Sequence, residues 1–212
     1  MKEAVIVSTA RTPIGKAYRG AFNNTEGPIM AGHAIKHAVA RAGIDPAEVD
    51  DVIIGCAMQQ GTTGNNTARQ SLLVAGLPVG VSGMTLDRQC SSGMMAIATA
   101  AKQVIDDGMP ICVGGGVESI SMVQNDKINA FANKSAIGAA KDIYMAMLNT
   151  AEVVAERYGV KREDMDAYGL QSQMRTAAAQ QAGKFDDEIV PITSVMKVAN
   201  KETGEISDAE VT

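Results

Sequence analysis

The chain has 212 residues, of which 46% are hydrophobic and 20% are charged, a balance typical of a folded globular protein and unlike that of a disordered one. Its net charge of −5 argues against a nucleic-acid binder, because such proteins present dense cationic surfaces. No segment approaches the roughly 18 consecutive apolar residues of a membrane span. Three cysteines without framework spacing favour a reducing compartment, so we predict a cytoplasmic protein.

The first 118 residues predict alternating strands and helices. A continuous β-branched run predicts a buried strand over 3–10. Helical spacing of apolar residues predicts a helix from Pro28 to Ala42, which begins with proline and ends before Gly43. The remaining predictions are strands at 51–57, about 82–88 and 111–117, and helices at about 67–75 and from about Cys90 to Asp107. This order predicts an α/β fold with a mostly parallel sheet and helices on both faces.

Beyond residue 118 the regular alternation is lost. Two helices are predicted, from about Thr150 to Tyr158 and from about Arg162 to Ala182. The tail after Gly183 begins like a strand, then becomes polar, and we expect it to end without a helix or strand. We therefore divide the chain into a core α/β domain, 1–118, and a less regular module, 119–212.

The segment DRQCSSGMM, residues 87–95, is the sharpest chemical feature of the sequence. Cys90 stands between a predicted strand and a predicted helix, which places it in the first helical turn. Unpaired N–H groups and the positive end of the helix dipole favour a nucleophilic thiolate there. The same amides can donate to the oxyanion of an attacked thioester. A small cysteine packed at a helix start is the alternative interpretation.

Several segments give the chain a family resemblance. DRQCSSGMMAI closely resembles the acyl-enzyme cysteine signature of thiolases, the acyltransferases that make or cleave 3-ketoacyl-CoA. Five further segments resemble thiolase segments in the family's order: STARTPIG at 8–15, QQGTTGNNTARQ at 59–70, GGGVESIS at 114–121, NTAEVVAERYGVKRE at 149–163 and GKFDDEIVPI at 183–192. The resemblance covers essentially the whole chain. Asp87 departs from the pattern, since the family usually has Asn at that place.

The resemblance implies a fold and a set of site residues. Thiolases have two similar α/β halves stacked in five layers, and residues 119–212 correspond to the start of a loop domain that carries much of the coenzyme A site. Cys90 corresponds to the residue that the acyl-CoA acylates. Met147 corresponds to a substrate-binding position that lines the acyl-CoA pocket, with core filler as the alternative, and Ala146 stands where many relatives have a histidine. Residues 59–70 correspond to a stretch near the active sites of a dimer, with a simple polar loop as the alternative.

The resemblance also implies ping-pong acyl transfer in fatty acid metabolism. Coenzyme A thioesters would be substrates, no cofactor or metal is expected, and the assembly would be a homodimer or homotetramer. The chemistry also needs a group that takes the thiol proton and one that deprotonates the incoming acyl-CoA. By the resemblance, these roles belong to a histidine in a G-H-P segment and a second cysteine, with an asparagine in N-E-A-F near the oxyanion, and these segments do not occur in this sequence.

We therefore expect the N-terminal half of a thiolase with part of its loop domain, either proteolysed or encoded as a separate piece. Its partner would be the remaining C-terminal part of the same enzyme. Two alternatives stay open. One is a ketoacyl-synthase-like condensing enzyme, and the other is a catalytically silent fragment that binds acyl-CoA or builds the oligomer.

Other reactive side chains receive structural interpretations. Cys112 lies in CVGGG, which matches the family's second-cysteine signature, but this segment is a predicted strand that leads into VESIS, and VESIS matches a different thiolase segment. Cys56 is predicted to be core. His33 and His37 have the i,i+4 spacing of a metal pair, but we interpret them as a solvated polar face because no carboxylate or cysteine ligand is near in sequence. Glu118 is interpreted as a buried structural carboxylate, with a site residue as the alternative.

Overall fold

The computed structural model describes residues 2–126, 128 and 132–212. It contains two compact units, the first formed by Met1–Ile128 with Glu188–Thr212 and the second by Asn129–Asp187. Residues 188–212, predicted to share a domain with 119–187, thus group with the first unit. Val190 N donates to Arg11 O at 2.8 Å, which joins this segment to the start of the chain. The domain boundary after residue 118 stays a prediction.

Three parallel strands form the sheet of the first unit: β1 Asp51–Gly55, β2 Ser82–Leu86 and β3 Cys112–Gly116. Their order is β2-β1-β3, so β1 is central and pairs with both neighbours. Every residue of β1 is buried, as expected for a strand covered on both faces. The predicted strands at these three places are confirmed, and because the strands are parallel their carboxyl ends lie at one edge of the sheet.

Helices cover both faces of this sheet. The helices of the first unit are α1 Gly27–Ala42, α2 Thr67–Val74, α3 Ser92–Lys102 and the short α4 Ile120–Val123. Val52 and Ile54 of β1 belong to a core cluster shared with α1 and α2, whereas Ile53 clusters with Ala96 and Ala100 of α3. Successive strand side chains point to opposite faces, so the predicted arrangement of helices on two faces is confirmed.

The helix ends follow the predicted signals. Pro28 lies in the first turn of α1, and Gly43 ends that helix with a left-handed φ of 69°, which glycine adopts without steric cost. Short turns of other helix types also belong to the first unit: 3-10 turns at Pro46–Glu48 and Gly61–Thr63, and a π turn at Gln103–Asp107. The π turn continues α3 to the predicted end of that helix.

The buried strand predicted over 3–10 is wrong. Residues 2–10 form no strand, and the side chains of residues 5–7 are 75–76% exposed. This segment runs beside α1, where Ser8 Oγ donates to Ala38 O at 2.7 Å. A β-branched run becomes buried only where a neighbouring strand accepts its backbone groups, and no strand among the described residues pairs with it.

The second unit consists mainly of helices: α5 Lys134–Ala139, α6 Met147–Tyr158 and α7 Arg162–Gln181. The two predicted helices are confirmed, although α6 begins at Met147 rather than near Thr150. No residue of α6 or α7 is buried. In the described part of the chain, no helix combines the length and apolarity needed to cross a membrane.

The tail contradicts the expectation of an irregular end. It forms an antiparallel hairpin of β4 Ser194–Ala199 and β5 Ile206–Val211. The turn between them contains Gly204 at a left-handed φ of 73°. Asn23 binds both backbone groups of Lys197, donating to its carbonyl at 2.8 Å and accepting from its N–H at 2.9 Å. The hairpin is thereby attached to the loop that precedes α1.

Candidate active site

Cys90 lies at the carboxyl edge of the sheet, between the end of β2 at Leu86 and the start of α3 at Ser92. Its thiol is free and its side chain is exposed. The N-cap residue of α3 is Ser91, so Cys90 precedes the helix instead of occupying its first turn as predicted. The reason is a tight turn over residues 88–92, in which Gln89 takes a left-handed φ of 48°.

Side chains hold this turn at both ends. Asp87 Oδ1 accepts from Gln89 N at 2.7 Å. Ser92 Oγ accepts from Arg88 N at 2.9 Å and donates to Gln89 O at 2.6 Å. A left-handed non-glycine residue is strained unless its surroundings fix it, and these three hydrogen bonds fix it. Asp87, which departs from the family pattern, therefore supports the turn through its carboxylate oxygen.

The start of α3 keeps donors available near the cysteine. The side chain of Ser91 makes no capping hydrogen bond, so it does not occupy the N–H groups of Gly93 and Met94. First-turn N–H groups of a helix point back along its axis and carry the positive end of the dipole. The turn that bears Cys90 lies directly before them, which suits stabilisation of a thiolate or an oxyanion.

Two glycines allow α3 to begin close to the sheet. A Cβ on Gly55, the last residue of β1, would lie 2.2 Å from the carbonyl carbon of Ser92. A Cβ on Gly116, the last residue of β3, would lie 3.1 Å from Gly93 Cα. Neither neighbour is a flexible side chain, so the backbone would have to shift. We call these two strand ends, Gly55 and Gly116, the glycine platform.

Glu118 connects the loops that follow β1 and β3. Its Oε1 accepts from Cys56 Sγ at 3.4 Å and from Met58 N at 3.1 Å, and its Oε2 accepts from Ala57 N at 3.0 Å. Burial, followed by the Glu118 charge, raises the pKa of the Cys56 thiol to about 11. Cys56 is fully buried, which confirms the prediction that it is a core residue.

Cys112 lies at the opposite edge of the sheet from Cys90. It is the first residue of β3 and pairs with Asp51, the first residue of β1. The strand separates it from the carboxyl edge by about 13 Å, at about 3.3 Å per residue. Burial, then the charges of Asp50 and Asp51, raise its pKa to about 11. This environment suits an inert thiol and supports the structural interpretation of the CVGGG match.

His33 and His37 form a close pair on α1. Their ring centroids are 4.6 Å apart, and desolvation, followed by the charges of His33, Lys36 and Arg41, lowers the pKa of His37. The Nε2 atom of His33 is buried and has no hydrogen-bond partner. Among the residues that the structure describes, no group of three His, Cys, Asp or Glu side chains is placed to hold a metal ion.

Met147 is the first residue of α6 and belongs to the second unit. Its side chain is 70% exposed, so within that unit it is not core filler. Ala146 is the N-cap residue of the same helix and makes no side-chain capping bond. The role of Met147 in binding acyl-CoA stays a prediction.

The polar side chains of residues 59–70 hold their own loop together. Thr63 is fully buried, and its hydroxyl donates to Gln60 O at 3.0 Å. Asn66 Oδ1 accepts from Arg69 N at 3.2 Å and so caps α2, which confirms the helix predicted there. The Asn66 amide also donates to Gly83 O of β2 at 2.8 Å. These bonds are internal, and the predicted dimer contact stays a prediction.

Comparison with known proteins identifies the family of the chain. The family described as "Thiolase, N-terminal domain" matches residues 4–211. A 3-ketoacyl-CoA thiolase of Bacillus subtilis is 42% identical over 192 residues, which are 91% of this chain and 49% of that protein. A beta-ketoadipyl-CoA thiolase of Pseudomonas aeruginosa is 39% identical over 209 residues, 91% of this chain and 52% of that protein.

A solved structure gives the same result for the fold. The crystal structure of the Bacillus anthracis acetyl-CoA acetyltransferase superposes with a TM-score of 0.78 at 35% identity. The match covers 99% of this chain and 54% of that one. The chain therefore spans about half the length of the curated relatives it matches.

Proposed function

The chain belongs to the thiolase family, and on this basis we propose that it is the nucleophile-bearing part of an acyl-CoA acyltransferase that makes or cleaves 3-ketoacyl-CoA. The observation that carries the proposal is the setting of Cys90. Its thiol is exposed and free, and it lies on a turn with a left-handed residue immediately before α3. The N-cap side chain of α3 makes no hydrogen bond to the first N–H groups of that helix. Nucleophilic cysteines are found in such partly exposed, electropositive places.

In the proposed reaction, a base removes the Cys90 proton and the sulfur attacks the thioester carbonyl of an acyl-CoA. The N–H groups of Gly93 and Met94 donate to the resulting oxyanion. Collapse of the intermediate breaks the bond to the coenzyme A sulfur, which leaves as thiolate and takes up a proton. The acyl group stays on Cys90. A second base removes a proton from the α-carbon of another acyl-CoA, this carbon attacks the acyl carbonyl, and the bond to sulfur breaks, so that Cys90 leaves as thiolate. The reverse sequence cleaves 3-ketoacyl-CoA.

We assign the base and the second acid/base cysteine to a complementary C-terminal part of the same enzyme. Two surfaces of the first unit support this assignment. The β-branched side chains of residues 5–7 are exposed, and β3 pairs only with β1 among the described strands. Both are β-forming surfaces of the kind that a further strand covers. We also propose Met147 as a contact for acyl-CoA, homodimer or homotetramer assembly, use in fatty acid metabolism, and a reducing cytoplasm as the location.

A catalytically silent fragment that binds acyl-CoA or builds the oligomer is the second candidate. It is favoured by the lack of any G-H-P or N-E-A-F segment in the sequence. The two candidates differ in one observable, because only the first requires a covalent acyl group on sulfur.

Incubation of the 212-residue chain with radiolabelled acetyl-CoA, followed by acid quench and peptide mapping, tests the proposal. We expect label on the peptide that contains Cys90, loss of that label in Cys90→Ser, and its retention in Cys112→Ser. The complementary C-terminal part of a relative, added in a parallel reaction, supplies a base if the chain alone reacts slowly. An unlabelled chain in both reactions would favour the silent fragment, and label on Cys112 would contradict the assignment of the nucleophile.

A further inference from the structure

We propose that Glu118 is a positioning residue for Cys90, acting through the loop after β1 and the glycine platform. The inference rests on the proposed function only in taking Cys90 as the nucleophile. Glu118 does not touch the reacting sulfur in this proposal, and both of its carboxylate oxygens already accept hydrogen bonds. Its effect is therefore transmitted by backbone geometry, and it does not serve as a base.

The carboxylate joins the loops that follow two strands paired to their last residues, Gly55 and Gly116. β3 ends in the sequence GGG, which offers no side chains for packing between the strand ends. Backbone bonds continue the sheet by one residue on each side: Val117 N donates to Gly55 O at 3.0 Å and Cys56 N donates to Leu86 O at 2.9 Å. Beyond these two bonds, Glu118 connects the loop after β3 to the loop after β1, because its carboxylate accepts hydrogen bonds from two amides and one thiol of residues 56–58.

The strand ends in turn determine where α3 begins. Gly55 lies so close to the backbone of Ser92 that a Cβ would come within 2.2 Å of it. No side chain stands between the two backbones to absorb a displacement. A shift of the β1 end by a few tenths of an ångström therefore moves Ser92 as well, since close-packed interiors transmit small displacements.

Ser92 passes the displacement to the cysteine. Its hydroxyl binds Arg88 N and Gln89 O on the other side of the turn, and Cys90 lies between these anchors. The left-handed Gln89 depends on the same bonds. Loss of the Glu118 link is thus expected to relax the turn and to change how the first amides of α3 face the sulfur.

The test compares the pH profile of Cys90 alkylation in the full chain with that of matched variants. Iodoacetamide is the probe, and peptide mapping by mass spectrometry separates Cys90 from the other two cysteines. Glu118→Gln keeps the shape of the side chain but replaces one acceptor oxygen with an NH₂ group that opposes an N–H donor. Glu26→Gln is the control, since it removes the same charge from an exposed side chain that makes no capping bond.

We expect the midpoint of the Cys90 profile to move by at least half a pH unit in Glu118→Gln, about a threefold change in thiolate fraction. The midpoint should stay in place in Glu26→Gln. A lowered melting temperature with an unchanged Cys90 profile would overturn the proposal, because that is the result of a purely structural carboxylate.

A second variant keeps the test decisive if Glu118→Gln does not fold. Gly116→Ala places a methyl group 3.1 Å from Gly93 Cα and so disturbs the glycine platform without touching Glu118. An unshifted Cys90 profile in a folded Gly116→Ala chain would also overturn the proposal. Failure of the proposed function looks different, since the wild-type chain would then be alkylated normally at Cys90 but never acylated by acetyl-CoA.

Discussion

The two edges of the parallel sheet each carry a cysteine, and these two cysteines differ in exposure and in their surroundings. At the carboxyl edge, Cys90 is exposed on a tight turn before a helix. At the amino edge, Cys112 is half-buried and its pKa is raised to about 11 by burial and by nearby aspartates. The Cys112 segment also matches a catalytic signature of the family, CxGGG. The comparison teaches that position at the sheet edge, more than local sequence, decides whether a thiol is available for chemistry.

The rate of cysteine alkylation should show the largest difference between the two edges of the sheet. At pH 8 a thiol of pKa about 11 has about a hundredfold less thiolate than an ordinary thiol, so Cys56 and Cys112 should react slowly with iodoacetamide. Cys90 is exposed, and we expect it to be modified first. The measurement is the fraction of each cysteine modified over time. Comparable modification of Cys90 and Cys112 in the folded chain would remove the distinction between the edges.

The glycine platform provides the next largest contrast. Gly55→Ala would drive a methyl group into the backbone of Ser92, and we expect it to lower the free energy of unfolding by about 1–3 kcal/mol or more. Gly80→Ala, just before β2, is the matched control because nothing lies within 4 Å of a Cβ there. It should change stability by no more than about 0.5 kcal/mol. Urea unfolding measures both, and equal effects would contradict the close approach of α3.

The turn around Cys90 can be tested with two adjacent serines. Ser92→Ala removes a buried hydroxyl that makes two hydrogen bonds, and should cost about 1–3 kcal/mol because a backbone donor loses its acceptor. Ser91→Ala removes an exposed hydroxyl that caps nothing. We expect that variant to unfold at nearly the same urea concentration as the wild type. A larger cost for Ser91→Ala would show that the helix start is capped in another way.

The smallest expected effect lies away from both edges, on α1. The pKa of His37 is lowered in the folded state, so the unfolded chain takes up its proton first as the pH falls. Stability should therefore decline as the pH drops below about 6.5, the ordinary histidine value, and level off below the lowered pKa. His37→Gln should flatten part of this decline in urea midpoints measured from pH 8 to 5. An unchanged slope would mean that the shift has no consequence for folding.

The elements of the first unit between 27 and 116 were predictable because each carries its own local pattern. α1 has its proline and its final glycine, and β1 has an uninterrupted apolar run. The same reasoning fails for residues 3–10, which form no strand. Their pattern is equally strong, but burial of a strand depends on a neighbour elsewhere in the chain. The hairpin at 194–211 was missed for the opposite reason, since most of its side chains are exposed and polar residues interrupt both of its strands.

The candidate site divides in the same way. Cys90 was found from its motif, which is local. The left-handed Gln89 was not, because glutamine has no preference for that conformation. The need for glycine at positions 55 and 116 is a property of a contact between elements distant in sequence. No periodicity in the sequence predicts such a contact, although three consecutive glycines at 114–116 are typical of close backbone packing.

The order in which the chain passes through the two units has a consequence for the evolution of the protein. The chain leaves the first unit at Ile128 and re-enters it at Glu188, where Arg11 binds the Glu188 carboxylate at 2.9 Å. The intervening 129–187 segment is thus an insertion in the sequence of the first unit. Insertions of this kind are tolerated when host contacts stay intact. Replacement of residues 129–187 as one segment would therefore leave the sheet and the turn that bears Cys90 unchanged in sequence.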